Sequence, residues 1–167
     1  MFEIGQHVIH PGQGVCTVVG FTNDDPTPMI ILHAKSGHAA TQLMFPQSQE
    51  GRLHCAISRE DAEEILDRYG ELAVDTFTER NSSLEETYFK QQLKLGAPET
   101  VRIFKTMRHR IAHAEKIGKK PSSYYTRILK EARRRAVEEL AVALNLATED
   151  ADERFIAAIS ADEHSLN

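Results

Sequence analysis

The 167-residue sequence has no tryptophan, only two cysteines, few aromatics and no long hydrophobic run. Cys16 and Cys55 lie far apart and form no CxxC, so nothing supports a disulfide framework. No apolar stretch approaches the roughly 20 residues that span a bilayer, so no membrane association is expected. The opening MFEIGQHV lacks a basic region followed by an apolar run. No secretory signal is therefore expected, and the cytoplasm is the expected compartment. GxSxG, Walker A and GxGxxG are all missing, and neither cysteine sits in an active-site context. Nucleophilic catalysis, nucleotide hydrolysis and dinucleotide binding thus have no motif behind them, and no enzyme and no cofactor are expected. The acid pairs Glu63-Glu64, Glu85-Glu86 and Glu138-Glu139 are adjacent on helical segments, where neighbours point about 100° apart. They read as solvated surface rather than acid–base dyads.

What is present is a chain that is 41% hydrophobic, enough for real cores in one domain or two small ones. The net charge of −5 conceals a segregation. Residues 102–135 carry 12 Lys/Arg against 2 Asp/Glu, a local balance of +10, while the remainder carries 8 against 23, or −15. Partners respond to that local potential more than to the total.

The first 57 residues read as strands. Val8 and Ile9 precede the turn Pro11-Gly12-Gln13-Gly14, and Val15–Phe21 is rich in β-branched residues. A loop at Asn23–Pro26 follows, then the apolar run Met29–Ala34, a hairpin candidate at Ser36-Gly37, and a return strand Thr41–Phe45 stopped by Pro46. Four or five short strands in this length predict a small barrel of SH3 or Tudor type.

From Ser58 the hydrophobic period becomes helical. Ser58 with Asp61 is a capping pattern ahead of Ala62, Ile65 and Leu66, with Gly70 as stop. Ser83 with Glu86 predicts a second helix running to Leu95, with Gly96 as its stop. Pro98 suits the first turn of a third, whose stripe is Val101, Phe104, Met107, Ile111 and Ala114. Gly118–Pro121 breaks it, and Ser122 or Ser123 opens a long helix to about Asn145 with Tyr125, Ile128, Ala132, Ala136, Leu140 and Leu144 on one side. Thr148 is the expected N-cap of a last helix carrying Phe155, Ile156 and Ile159. The expected class is therefore α+β: a β domain over residues 1–57 and an all-α bundle over 58–167.

The basic stretch falls on two of these helices and their turn. Arg102, Lys105, His109, His113 and Lys116 share one helical face, Lys119 and Lys120 lie in the turn, and Arg134 lies on the next helix. Such a cluster suits a phosphate backbone. With only Tyr124 and Tyr125 nearby, stacking on single-stranded bases is weakly indicated. His109 and His113 have a zinc-chelating spacing, but the sequence is HRIAH, without the glutamate of HExxH and with cations on both sides. His7, His10, Cys16, His33, His38, His54 and Cys55 are scattered and read as structural, so no metal is expected.

The segment Ile4-Gly5-Gln6-His7-Val8-Ile9-His10-Pro11-Gly12-Gln13-Gly14-Val15 resembles the start of CarD and CdnL transcription factors. The later strands and the helical half match that family in architecture. The resemblance implies a bacterial, nucleoid-associated, non-enzymatic regulator whose β domain adds a strand edge to the RNA polymerase β subunit. Strands 29–34 and 41–45, with Ile30, Ile31, Leu32, His33, Gln42 and Met44, are the nominated polymerase contact. Arg102, Lys105, His109, His113, Lys116, Lys119, Lys120 and Arg134 would meet promoter DNA, and an additional regulatory protein is a further candidate partner. The family's wedge tryptophan falls on Ser82, and the arginines after it fall on Leu84 and Glu85. Leu84 is expected to pack within its helix. The run AATQLMFP also has no cation where the family's polymerase-binding basic residues occur. The alternative is a protein-binding adaptor of the same fold that has lost DNA binding.

Overall fold

The computed structural model describes residues 1–23, 25–36 and 39–165. They form two compact units that part between Ala56 and Ile57. No helix among the described residues is long and apolar enough to cross a membrane.

The first unit is a five-stranded antiparallel sheet: β1 (His7–His10), β2 (Gly14–Thr22), β3 (Met29–Ser36), β4 (Ala39–Pro46) and the two-residue β5 (His54–Cys55), in the order β4-β3-β2-β1-β5. Alternation in β2 and β3 sends Cys16, Val18, Ile30, Leu32 and Ala34 to one face, where they bury with Val8, Phe45 and Leu53. The β1–β2 turn is organised by His10, whose Nδ1 accepts from Gly12 N at 3.0 Å and Gln13 N at 3.1 Å while its ring stands edge-on to Phe45. Gly14 follows at φ +82°, a conformation that favours glycine. A bulge in β2 slips the register between Val18 opposite Leu32 and Gly20 opposite Ile31, which brings Phe21 opposite the buried Ile30. The expected closure into a barrel is not seen among the described residues, where β4 and β5 are the outer strands of an open sheet. Of the loop and hairpin expected around residues 24 and 37, Asp24 and Gly37 lie outside the described residues.

The second unit contains α1 (Arg59–Asp67), α2 (Ser82–Gln92), α3 (Ala97–Lys116), α4 (Ser123–Leu144) and α5 (Thr148–Ser165). Ser58 caps α1 as expected, its hydroxyl accepting from Asp61 N at 3.0 Å. The cap of α2 differs from the expected Ser83: Asn81 accepts from Ser83 N, so the helix starts earlier. Asn is at least as good an N-cap as Ser, and it comes first in the chain. The last helix likewise takes in its expected cap, Thr148, as its first residue, because Ala151 N already bonds Ala147 O.

The core joins Phe89, Val101, Phe104, Met107, Ile128, Ala132, Ala136, Leu140 and Leu144 with Phe155 and Ile159 of α5. Burying a side chain such as Phe89 or Phe155 contributes about 1.5–3 kcal/mol. In α4 the fully buried tyrosine is Tyr124, not Tyr125, extending the four-residue spacing of 128, 132, 136, 140 and 144 backward by one step. Ile156, expected on the apolar side of α5, is exposed.

Candidate functional site

Of the nominated polymerase-contact residues, Ile30 and Leu32 are 1% and 0% exposed and belong to the core. Strand β3 has β2 on one side and β4 on the other, so its backbone offers no free rim. That corrects the nomination of strand 29–34 as an edge. An apolar run of this kind marks a central strand, because its side chains are covered on one face and its main chain is paired on both sides. The remaining four nominated residues lie on the opposite face of the β3–β4 pair. Ile31 stands opposite Met44, and His33 opposite Gln42. His33, Gln42 and Met44 are exposed, Met44 by 53%. β4 pairs with β3 alone among the described residues, leaving its other rim as the longest free edge of the sheet.

The basic stretch is reshaped by folding. Arg102 meets Glu99 at 2.6 Å and Asp75 at 3.2 Å. Arg108 pairs with Glu163, Arg127 with Glu86 at 3.1 Å, and Arg133 with Asp152 at 2.7 Å. Arg134 is held between Glu131 and Glu138 at 2.7 and 3.0 Å. Lys105 donates to the carbonyls of Tyr69 and Gly70, at 2.9 Å each, after α1. Gly70 is itself tightly placed, since a Cβ on it would stand 2.8 Å from Asp162 Oδ1 of α5. Arg102, Lys105 and Arg134 of the nominated DNA surface are therefore structural cations. His109, His113, Lys116, Lys119 and Lys120 remain exposed on the distal part of α3 and its turn. Residues far along the chain supply several of the neutralising carboxylates, which charge counting along the sequence does not register.

Two members of the acid pairs, expected as solvated surface, are instead buried. Glu85 accepts from Glu79 N at 2.7 Å, from Arg110 at 2.9 Å and from the Tyr124 hydroxyl. Burial and this carboxylate together push the Tyr124 hydroxyl up in pKa. Arg110 also reaches Phe77 O, and Asp75 accepts from Phe77 N at 2.8 Å and the Tyr88 hydroxyl at 2.9 Å. The effect is to fasten the irregular segment between α1 and α2 onto α3. Burial pushes the Asp75 carboxyl up, but the Phe77 N–H, the Tyr88 hydroxyl and Arg102 outweigh it and hold the group below the usual aspartate range.

Glu139, 2% exposed, is the other buried acid. It accepts from Ile57 N at 3.1 Å and from the backbone N–H of Ala97. Gly96, at φ +94°, precedes α3 and offers no side-chain cap. The carboxylate of Glu139 reaches that helix start from α4 and takes the capping role, where the helix dipole favours an anion. A Cβ on Gly96 would lie 3.5 Å from Glu139 Oε2, an ordinary contact, so it is the positive φ rather than lack of space that calls for glycine here. Burial pushes Glu139 above the usual glutamate range despite both N–H bonds.

At the position matched to the family's wedge, Ser82 opens α2 as its first residue, and Leu84 is 57% exposed rather than packed. Among the described residues no group of three or more His, Cys, Asp or Glu could hold a metal ion. The features on hand are a free strand edge, a pared-down cationic tip and buried polar joints. They belong to an α+β protein, a five-stranded antiparallel sheet unit followed by a helical one. A scan against protein-family models finds no match for the chain, and a search of curated proteins finds none either.

Proposed function

We propose that the chain is a non-enzymatic transcription regulator of the CarD/CdnL type, working in the bacterial cytoplasm at the nucleoid. In this reading its SH3/Tudor-like sheet binds the RNA polymerase β subunit by strand addition along β4. One observation carries the reading. The free rim of β4 is eight residues long and holds no charged residue, and its only proline is the last residue, Pro46. Sheet edges left free are ordinarily protected by charges, prolines or bulges, and an unprotected one invites a partner strand. Exposed Gln42 and Met44 would supply side-chain contacts beside the main-chain bonds. The resemblance of residues 4–15 to the family's opening motif supplies the identity of the partner.

In the helical unit, Lys116, Lys119 and Lys120, with His109 and His113, would meet promoter phosphates, and the paired arginines would not. A second reading, a protein adaptor without DNA contact, is favoured by how many of the basic side chains are already neutralised. Capture of polymerase β by the full chain tests the main reading. Gln42→Lys together with Met44→Glu should abolish capture while the fold, read by circular dichroism, persists. Undiminished capture by that variant would remove the β4 contact. A gel shift at low salt separates the two readings, since the adaptor binds no duplex.

A further inference from the structure

Helices α3 and α4 form a hairpin, and toward their turn the face that carries Phe104 and Leu129 is left partly open. On α3, Val101, Phe104 and Met107 are buried, but Ile111 and Ala114, on the same stripe, are only partly so. Helix α5 meets this hairpin through Asp152, paired with Arg133, and Glu163, paired with Arg108. A groove of about 490 Å³ lies open between the two helices, floored by Phe104, Ile111, Ala112 and Leu129. Its charge is one-sided. Lys130 stands on the α4 wall with no carboxylate partner among the described residues, and Lys116, Lys119 and Lys120 stand at the turn that ends the groove. Glu115 is the one acid in the lining.

We infer that this groove receives an acidic amphipathic helix from a protein partner. The apolar floor requires a ligand with an apolar face, and the cationic rim requires that its other positions be Asp or Glu. A helix with apolar residues at i, i+3, i+4 and i+7 and acids between them supplies both. Duplex DNA satisfies the lysines but leaves the floor wet, because its backbone presents phosphate and sugar rather than an apolar ridge. This site shares no residue with the β4 edge, so its fate and that of the polymerase contact are independently measurable, whereas it shares Lys116, Lys119 and Lys120 with the proposed phosphate contact, so helix and duplex would compete there.

The test uses the full chain and two fluorescent peptides of one composition, Leu and Glu. One carries leucine in amphipathic phase, and the other is shuffled to remove the phase. The phased peptide should bind at least tenfold tighter than the shuffled one by anisotropy. Leu129→Glu and Ala112→Trp should each weaken it at least tenfold, and Lys130→Glu should weaken it severalfold at low salt. Ala112 is exposed, so its tryptophan variant fills the groove without opening the core and keeps the test valid should Leu129→Glu fail to fold. Equal binding of the two peptides, no binding of either, or indifference to Ala112→Trp would overturn the inference. So would a duplex oligonucleotide that loses as much affinity as the peptide in Ala112→Trp, which would make the groove a DNA surface.

Discussion

Glu139 and Asp75 are both buried carboxylates, yet the folded protein displaces their acidities in opposite directions. Glu139 has two main-chain donors and no cation, whereas Asp75 has Arg102 in addition to its donors. Glu139→Ala leaves the N–H groups of Ile57 and Ala97 without their acceptor, and a loss of about 2–4 kcal/mol is expected in urea unfolding. The pH dependence discriminates further. Glu139 is raised on folding, so the stability it contributes is full below the ordinary glutamate pKa and is lost as pH rises through the folded value. The advantage of wild type over Glu139→Gln should therefore shrink as pH rises from about 4 toward neutrality. Asp75 is depressed, so its contribution is full above the ordinary aspartate pKa and is lost as pH falls through the folded value. The advantage over Asp75→Asn, about 1–3 kcal/mol at pH 7, should shrink on acidification. Two slopes of the same sign would contradict these assignments. Neither residue was legible as buried from its sequence position, since Glu139 stands beside Glu138 on a helix and Asp75 lies in the irregular segment between α1 and α2.

At the scale of the elements, local patterns were read well where they are self-contained. Ser58 caps α1, Pro98 lies in the first turn of α3, and the four-residue spacing of α4 marks its buried side. They failed where a neighbour chose between similar residues. Tyr124 rather than Tyr125 turns inward because Glu85 of α2 accepts its hydroxyl, and a tyrosine deep in a core needs such a partner. Gly96 does end the 3-10 turn Leu93–Leu95 that continues α2, as its place in the sequence predicts, but what the sequence does not show is that the same residue, at positive φ, is also the N-cap of α3. Gly96→Ala should cost more than about 1 kcal/mol, read as a lowered thermal midpoint, because alanine is strained at that φ. A neutral effect would mean the backbone relaxes there without cost. In the sheet, the apolar run Met29–Ala34 was legible as a strand, but its central place depends on β2 and β4 pairing on either side of it.

For the whole molecule, the consequence of folding is electrostatic. A surface with the full +10 of residues 102–135 would lose duplex affinity with a log–log salt slope of about −9. Pairing of the arginines leaves Lys116, Lys119 and Lys120 as the cations of the distal tip, and a slope of about −3 is expected. Replacing those three lysines with glutamate should abolish duplex binding and leave the thermal midpoint unchanged, whereas Arg102→Glu should lower the midpoint by breaking the joint to Asp75. A slope near the steeper value would mean that the ion pairs open on DNA. The amino-acid sequence by itself determined the α+β class, the order of strands and helices, the stripes that become cores and the absence of known catalytic motifs. These follow from side-chain periodicity and local capping, which act over a few residues. Only the tertiary structure decided that β3 is interior and β4 free, that Glu85 and Glu139 are buried, and which cations stay unpaired. Those outcomes depend on strand neighbours and on carboxylates brought from distant parts of the chain, and Coulomb attraction and hydrogen bonding act through space rather than along the sequence.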